Sequence, residues 1–153
     1  MARPDFPAVV SLVVPIENFN KPEVDRALEQ INLYLNDQNQ SDSRVVVGEN
    51  SSSEVSAYAC WRRVPQTKGT YDLYWIVTDP GTRGQSFGQA LMAYLQKRSV
   101  GRKERLLVVE TSGKTAYTGT VEFYRRLGYK EISRLQDFYD VRDHKLAFVK
   151  RIP

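Results

Sequence analysis

The chain has 153 residues, of which 41% are hydrophobic and 26% charged, and its formal net charge is +4. This is the composition of one ordinary globular domain, large enough to bury a core. The mild basic excess suits an anionic cofactor, but it is far below the Lys/Arg density of a dedicated nucleic-acid-binding domain.

The cysteine and histidine counts exclude two further classes of protein. The single cysteine, Cys60, rules out an internal disulfide, and the single histidine, His144, argues against a zinc site, so we expect no bound metal. Residues 1–7 lack the pattern of a signal peptide, and no segment approaches the roughly 18 apolar residues of a membrane span. We therefore expect a cytoplasmic protein that binds neither nucleic acid nor membrane.

The first predicted elements are a strand and an amphipathic helix. Residues 9–16 form an apolar run that ends near Pro15 and predicts a strand. The following helix begins near Asn20 or Lys21, with Pro22 in its first turn, and ends near Asp37. Its apolar positions have helical spacing: Val24, Ala27, Leu28, Ile31 and Leu35.

Strands and turns follow in alternation. Residues 44–48 and 54–62 predict a hairpin around a polar loop, and residues 70–77 predict a central strand. A helix begins near Phe87, residues 105–111 form a strand buried on both faces, and a helix over residues 120–127 ends at Gly128 as its cap. The last strands are predicted at residues 129–135 and 145–152, joined by residues 136–144.

The connection between the central strand and its helix is a candidate anion site. The first N–H groups of a helix have no intrahelical partners and carry positive partial charge, so a phosphate or pyrophosphate can bind against residues 83–88. Neither the nucleotide-phosphate loop nor the dinucleotide fingerprint is present. Ser86 and Gln89 also have the spacing of a capping box, so a plain helix start is an alternative interpretation.

The residues of this connection resemble the coenzyme A loop of the GNAT superfamily of N-acetyltransferases. That family has Arg/Gln-x-x-Gly-x-Gly/Ala between a strand and a helix, and Arg83 and Gly88 match it. Ser86 stands where the family usually has glycine. If that position requires a positive φ, the serine costs on the order of 1 kcal/mol.

A second segment resembles the closing element of the same family. The family pattern is Asn-x-x-Ala-x-x-Phe/Leu-Tyr-x-x-Leu-Gly-Phe/Tyr, and the chain keeps the spacing from Phe123-Tyr124 to Leu127-Gly128-Tyr129. Tyr117 replaces the asparagine and Thr120 replaces the alanine, so contacts made by those two family residues are not carried over.

The resemblance implies both a fold and an activity. The fold is α+β, a single GNAT domain over residues 1–153 with a mixed, mostly antiparallel central sheet flanked by helices. The predicted order β-α-β-β-β-α-β-α-β-β matches this layout, with the family's second N-terminal helix missing or reduced. The activity is acetyl transfer from acetyl-CoA to a primary amine of a small molecule or protein, by direct attack in a ternary complex. Dimers are common in the family, so a homodimer is one expectation.

The resemblance also assigns site residues. The thioester carbonyl is bound by the backbone of the central strand, and the coenzyme A by the loop that follows it. The implied cofactor-binding residues are Ile76, Val77, Arg83, Gly84, Gln85, Ser86, Phe87, Gly88 and Gln89. Tyr124 corresponds to the family's general acid, because a phenol is protonated at neutral pH and can donate to the departing thiolate. A buried tyrosine that only packs is the alternative.

The general base has two candidates. Alternation along the central strand places Thr70, Asp72 and Tyr74 on one face, and Asp72 is the acidic residue there. Glu110, at the end of the following strand, is the second candidate. Each carboxylate could instead be a structural partner of a basic side chain, and no base is required if the amine loses its proton to bulk water.

The acceptor pocket is indicated only by residue type. Aromatic residues are expected to line it: Tyr58, Trp61, Tyr71, Tyr74, Tyr117, Phe138 and Tyr139. Asp137, Asp140 and Asp143 are carboxylates that could hold a cationic amine. A non-catalytic acyl-CoA-binding or sensor module remains the alternative function, and a nucleic-acid-binding domain has little support.

Overall fold

A computed structural model describes residues 1, 5–15, 21–36, 43–82, 86–100 and 104–152. Within these residues lie four α-helices, six strands and two short 3-10 turns. No helix in the described ranges is both long and apolar enough to cross a membrane.

The chain begins with two helices, α1 (Phe6–Val13) and α2 (Lys21–Asn36). The predicted strand over residues 9–16 is therefore wrong: most of it is the helix α1, and Ile16 lies outside the described residues. Val9, Leu12 and Val13 are buried at helical spacing, with Pro7 in the first turn. The second N-terminal helix, expected to be missing or reduced, is present: two helices precede the first strand, and α1 is the short one, with eight residues.

Six strands form one mixed sheet in the order β1-β2-β3-β4-β6-β5. The strands are β1 (Ser43–Glu49), β2 (Val55–Arg63), β3 (Thr70–Thr78), β4 (Leu106–Ser112), β5 (Lys130–Asp140) and β6 (Asp143–Arg151). The β3–β4 pair is parallel, while the β1–β2, β4–β6 and β5–β6 pairs are antiparallel. This confirms the α+β class and the mostly antiparallel sheet. The remaining helices are α3 (Phe87–Val100) and α4 (Thr118–Arg126).

Two backbone hydrogen bonds at the ends of β2 and β3 enclose one residue more on the β3 side than on the β2 side. The N–H of Val64 donates to the carbonyl of Thr70, and the N–H of Asp79 donates to the carbonyl of Ser56. Between these bonds β3 advances one residue further than β2, as happens at a β-bulge.

The last hairpin differs from its prediction. β5 continues to Asp140, so residues 136–140 belong to a strand rather than to a loop, and the turn to β6 is correspondingly short. The β5–β6 register shifts between Leu135 and Asp140, which is why the period-2 pattern expected of a strand is not visible there. β5 lies at the edge of the sheet, and most of its residues are exposed.

The chain divides into two compact units. The first comprises Met1–Arg62 and Tyr74–Leu95, and the second comprises Arg63–Leu73 and Gln96–Pro153. The core of the first unit joins the N-terminal helices to the strands, and its buried members are Val9, Leu12, Val13, Ala27, Ile31, Val45, Tyr58, Cys60 and Val77. In the second unit the fully buried ring of Phe148 packs near Tyr124.

Candidate functional site

The turn that leads out of β3 is organised by Asp79. Its side chain accepts a hydrogen bond from the N–H of Gly81 at 2.8 Å, and its carbonyl accepts from the N–H and the hydroxyl of Thr82 at 2.9 and 2.8 Å. An aspartate that bonds the backbone two residues ahead fixes a tight turn. This turn comes directly before the predicted coenzyme A loop in the sequence. Arg83, Gly84 and Gln85 of that loop lie outside the described residues.

Ser86 is the last residue before α3 and has a left-handed backbone, with φ at +60°. Its carbonyl accepts the N–H of Ala90 at 2.9 Å, which is the first hydrogen bond of the helix. An N-cap residue ordinarily has the extended backbone of a strand, so this φ does not fit a simple capping box. The left-handed conformation is the one that glycine adopts without strain, and a serine there costs on the order of 1 kcal/mol.

The other predicted cofactor residues are placed as follows. Phe87 and Gly88 are half-buried in the first turn of α3, and Gln89 is exposed. A Cβ added to Gly48 of β1 would lie 3.5 Å from the Phe87 ring, so this ring packs close to the β1 backbone. The structure therefore anchors the start of α3 through Phe87 and leaves the side chains of Ser86 and Gln89 exposed.

The pairing of the central strand with β4 ends before Ile76 and Val77. Its parallel pairing with β4 covers Thr70–Leu73, whereas β3 itself continues to Thr78. Val77 is 6% exposed and belongs to the core of the first unit, so its side chain faces away from solvent. Any contact that Val77 makes with a ligand must therefore come from its backbone.

Tyr74 and Trp75 are consecutive residues of β3, and both have neighbours in α2. Tyr74 lines a pocket together with residues of α2, and the indole N–H of Trp75 donates to Oε1 of Gln30, also in α2, at 2.9 Å. Consecutive residues of a regular strand point to opposite faces. The placement of Tyr74 and Trp75 on opposite faces of β3 stays a prediction.

Tyr124 is held in place by the end of α4. The N–H of Tyr129 donates to the carbonyl of Tyr124 at 3.0 Å, and the N–H of Gly128 donates to the carbonyl of Arg125 at 3.0 Å. Gly128 has φ at +81°, and together these features form a Schellman cap, as the sequence predicted. The Nζ of Lys150 donates to the carbonyl of Leu127 at 2.6 Å and so satisfies a further free carbonyl of the helix end.

The Tyr124 side chain is buried among aromatic rings. Its ring centroid lies 5.4 Å from that of Phe123, 5.7 Å from that of Tyr129 and 6.2 Å from that of Phe148. Only 4% of the residue is exposed. Burial, with a smaller effect from Tyr129, raises the pKa of the Tyr124 phenol well above its usual value near 10. The phenol is therefore a protonated hydrogen-bond donor at neutral pH.

Asp72 and Glu110 form one cluster with Lys145 in the second unit. Nζ of Lys145 lies 2.9 Å from Oε1 and 3.0 Å from Oε2 of Glu110, so both carboxylate oxygens are paired. The pKa of Asp72 is raised by burial and by the charge of Glu110, while Lys145 opposes the shift. Glu110 thus has the structural partner that the alternative interpretation required, and Asp72 is the carboxylate whose proton affinity is increased.

The predicted acceptor residues differ in burial. Tyr58, Trp61 and Tyr71 are buried, Tyr117 is half-buried, and Tyr74, Phe138 and Tyr139 are exposed. Tyr58 belongs to the core of the first unit, so it cannot line an open acceptor pocket.

The three carboxylates expected to hold a cationic amine already have partners. Asp143 is buried, accepts a short hydrogen bond from Ser112 and lies 3.0 Å from Lys114. Asp137 accepts the N–H of Arg142, and Asp140 accepts the N–H of Val141, inside the hairpin. In the described residues there is no group of three or more His, Cys, Asp or Glu side chains that could hold a metal ion.

Three features of the site were not found from the sequence. Lys145 lies thirty-five positions from Glu110, and such a long-range pair has no local signal. The one-residue offset between β2 and β3 is visible only when the backbone hydrogen bonds of the two strands are compared. Asp79, by contrast, stands in the run Asp-Pro-Gly, a turn signal that identifies its role without a structure.

Comparison with known proteins gives a family match and similar solved structures. The family model described as an acetyltransferase (GNAT) domain matches residues 41–131. A Desulfovibrio desulfuricans protein assigned to the GNAT acetyltransferases is 31% identical, with a TM-score of 0.91, and the match covers 99% of this chain and 94% of that chain. The comparison with curated proteins gave no match.

Two more distant structures share the fold. The ribosomal-protein-S18-alanine N-acetyltransferase from Escherichia coli is 18% identical with a TM-score of 0.78, over 99% of this chain and 90% of that chain. An aminoglycoside 6′-N-acetyltransferase complexed with coenzyme A is 17% identical with a TM-score of 0.73, over 97% and 91% of the two chains. Since the family model covers more than half of the sequence and the first structure matches over almost its whole length, the chain belongs to the GNAT family of acetyltransferases.

Proposed function

We propose that the protein is an acetyl-CoA-dependent N-acetyltransferase that transfers the acetyl group directly to a primary amine in a ternary complex. The observation that carries the proposal is the family match over residues 41–131, because this range contains both the loop before α3 and Tyr124 at the end of α4. Membership of the GNAT family supports coenzyme A as the co-substrate, and a structural relative is described in complex with coenzyme A.

In this proposal the start of α3 binds the pyrophosphate of the co-substrate. Free N–H groups at the helix end supply donors, and the left-handed backbone of Ser86 turns the chain so that these groups can face an anion. Arg83, Gly84, Gln85, Phe87, Gly88 and Gln89 complete the proposed binding segment. A strained non-glycine φ at this point is the kind of cost that proteins retain where a ligand is held.

The thioester carbonyl is proposed to accept a backbone N–H at Ile76 or Val77. One observation supports this: the parallel ladder with β4 covers only Thr70–Leu73 and ends before Ile76. A preorganised N–H at the oxygen stabilises the negative charge that develops there as the amine attacks.

Tyr124 is proposed as the general acid. The amine nitrogen forms a bond to the acetyl carbon, the carbon–sulfur bond breaks, and the phenol gives its proton to the departing sulfur. The raised pKa keeps the Tyr124 phenol protonated until that step. The Schellman cap and three packed rings fix the orientation of its side chain.

The attacking nitrogen must also lose a proton, and Asp72 is the favoured base. Burial raises the pKa of Asp72 and so increases its affinity for a proton, while both oxygens of Glu110 are held by Lys145. The neutral thiol of Cys60 supports direct attack, because burial raises its pKa to about 12 despite the opposing effect of Arg62. A thiol in that state is a poor nucleophile for an acetyl-enzyme intermediate.

The acceptor class, the cellular location and the oligomeric state are proposed on the same basis. The acceptor is an amine of a small molecule or a protein, the chain acts as one domain in the cytoplasm, and a homodimer is compatible with the family. The alternative function, a non-catalytic acyl-CoA-binding module, is favoured by one feature, the serine at position 86 where the family usually has glycine.

The proposal is tested by amine-dependent release of coenzyme A. The protein is incubated with acetyl-CoA and a panel of primary amines, and free thiol is measured against reactions without protein and without amine. Release that requires both protein and amine supports the enzyme. Binding of acetyl-CoA without release for any amine would support the non-catalytic module instead.

A further inference from the structure

A pocket of about 230 Å³ lies within the first unit, between one face of α2 and the strands. Arg26, Glu29 and Gln30 face it from α2 at helical spacing. Ser43 of β1, Arg62 of β2 and Tyr74 of β3 complete the polar part of its lining. The pocket is smaller than a typical site for a drug-sized ligand, so it fits one functional group and its neighbouring atoms rather than a whole cofactor.

The lining presents more hydrogen-bond donors than acceptors. Arg26 and Arg62 each contribute a guanidinium, and neither forms an ion pair with any of the residues that the structure describes. The Gln30 amide oxygen is occupied by the indole N–H of Trp75, which can only donate, so the Gln30 amide NH₂ remains as a donor. Two cations and this amide together favour an anionic ligand group.

The charge of Glu29 narrows the choice of anion. This carboxylate lines the same pocket and would repel a doubly charged group such as a phosphate more strongly than a singly charged one. A planar carboxylate matches the paired donors of a guanidinium and carries a single charge. Cys60, the buried neutral thiol, adds a lining group without charge.

The position of the pocket relates it to the transfer reaction. Tyr74 lies two residues before Ile76 on β3, a distance of about 7 Å in an extended strand. The pocket and the backbone proposed to bind the thioester carbonyl are therefore joined by one short segment of β3. This spacing suits a molecule whose amine points along β3 while its anionic group stays in the pocket.

We infer that the pocket binds the carboxylate of the acetyl acceptor, so that the acceptor is an amine carrying a carboxylate, as an amino acid does. The inference rests on the proposed N-acetyltransferase function for its link to catalysis. It depends on the geometry of the first unit alone for the binding of the carboxylate. Arg26 and Arg62 act as specificity residues, because they select the acceptor and take no part in bond making.

The test uses amino acids, each paired with the amine that its decarboxylation would give. Equilibrium binding and steady-state acetylation are both measured for the wild type and for Arg26→Gln and Arg62→Gln, two exposed positions where substitution should not prevent folding. Arg63→Gln is the matched control, because Arg63 is the next residue along β2 and donates instead to the carbonyl of Thr67 at 3.1 Å.

The expected result is a selective loss. Arg62→Gln should weaken binding of the carboxylated acceptors and raise their KM by about tenfold or more, while the decarboxylated amines and the Arg63→Gln control change little. Equal effects on both members of a pair, or no binding of any carboxylated amine by the wild type, would overturn the inference.

Binding and turnover separate this inference from the proposed function. Carboxylate binding that Arg62→Gln abolishes, without turnover of any amine, would retain the pocket assignment and reject the enzyme. Turnover of amines with no dependence on Arg26 or Arg62 would retain the enzyme and reject the pocket assignment.

Discussion

The end of α4 and the start of α3 each contain a residue with a left-handed backbone, and the two residues differ in strain. At the end of α4 the residue is Gly128 with φ at +81°, and at the start of α3 it is Ser86 with φ at +60°. Gly128 closes a complete Schellman cap. Ser86 has a Cβ and therefore carries a strain that Gly128 avoids.

The difference indicates what each end is for. The end of α4 positions a side chain, Tyr124, and a relaxed, fully hydrogen-bonded cap does this best. In the proposed function the start of α3 presents backbone groups, and the packing of Phe87 close to β1 holds the neighbouring strained Ser86 in place. The predictions below change one end at a time.

The largest expected effect is on catalysis, through a substitution near the end of α4. Tyr124→Phe should lower the rate of acetyl transfer about 100-fold or more, because it removes the proton donor and keeps the ring that packs against Phe148. Steady-state kinetics with acetyl-CoA and a reactive amine would measure this, together with the affinity for acetyl-CoA, which should stay the same.

Tyr129→Phe is the control for that prediction. It removes the hydroxyl of the neighbouring buried tyrosine, whose ring lies 5.7 Å from that of Tyr124, and should change the rate little. If Tyr124→Phe kept full turnover, the acid role would be withdrawn and Tyr124 would be a packing residue.

The second effect is on stability at the same end. Gly128→Ala should lower the free energy of unfolding by about 1 to 2 kcal/mol, because alanine must adopt the left-handed backbone. Space is not the cause, since an added Cβ would be 3.9 Å from the nearest atom, Nζ of Lys150. Denaturant unfolding would measure the change.

Gly119→Ala gives the matched comparison. Gly119 lies in α4 with no atom within 4 Å of an added Cβ, so alanine should leave stability unchanged or raise it by up to about 1 kcal/mol. Equal destabilisation by both substitutions would mean that the cap geometry at Gly128 is not the source of the effect.

The strained end is tested by relieving the strain. Ser86→Gly removes the left-handed penalty but adds flexibility to the unfolded chain, so the free energy of unfolding should change by less than about 1 kcal/mol. Ser53→Gly is the control because Ser53 also has φ at +60° and lies in an exposed turn. We expect only Ser86→Gly to alter the dissociation constant for acetyl-CoA in a calorimetric titration. Identical behaviour of the two variants toward the ligand would remove Ser86 from the binding segment.

The smallest effect concerns pH. The pKa of Asp72 is raised in the folded state, mainly by burial, so the folded protein binds this proton more tightly than the unfolded chain does. The charged form is therefore a cost to stability above the folded-state pKa, and the cost disappears as the pH falls toward the unfolded-state value near 4. Asp72→Asn should raise the free energy of unfolding at pH 7 by less than about 1 kcal/mol, because the group is partly solvated, and the gain, measured by denaturant unfolding at several pH values, should shrink toward pH 4.

Glu122→Gln, a substitution at an exposed position of α4, is the control for the loss of one negative charge. A gain for Asp72→Asn that did not depend on pH, or that Glu122→Gln reproduced, would contradict a raised pKa as its cause.

The elements that were predicted best from the sequence are those whose ends are marked by turn or cap residues. The helix from Lys21, the hairpin of β1 and β2, and the α4 end at Gly128 each carry turn or cap residues that define their bounds. α1 was missed because a short run of Val and Leu has no periodicity that separates a strand from a buried helix. Asp5 and Pro7 were the available helix-start signals, and the β-branched residues outweighed them.

The candidate site was predictable in its residue types and not in its contacts. The resemblance predicted roles for Tyr124 and the loop before α3, and these roles stay predictions, whereas the raised pKa of Tyr124 follows from its own burial. The pairing of Glu110 with Lys145, the burial of Asp143 and the one-residue offset between β2 and β3 depend on strand register. Register is set by contacts far apart in the chain, so no local pattern reports it.

The most direct test of the account is the melting temperature with and without acetyl-CoA. Plain coenzyme A serves as the second ligand, and ATP serves as a control for nonspecific anion binding. We predict a rise of several degrees at millimolar acetyl-CoA, a comparable rise with coenzyme A, and a much smaller one with ATP, because ligands that bind the folded state alone stabilise it by mass action. No shift with either coenzyme A species would show that the start of α3 is not a cofactor site and would contradict the proposed enzyme.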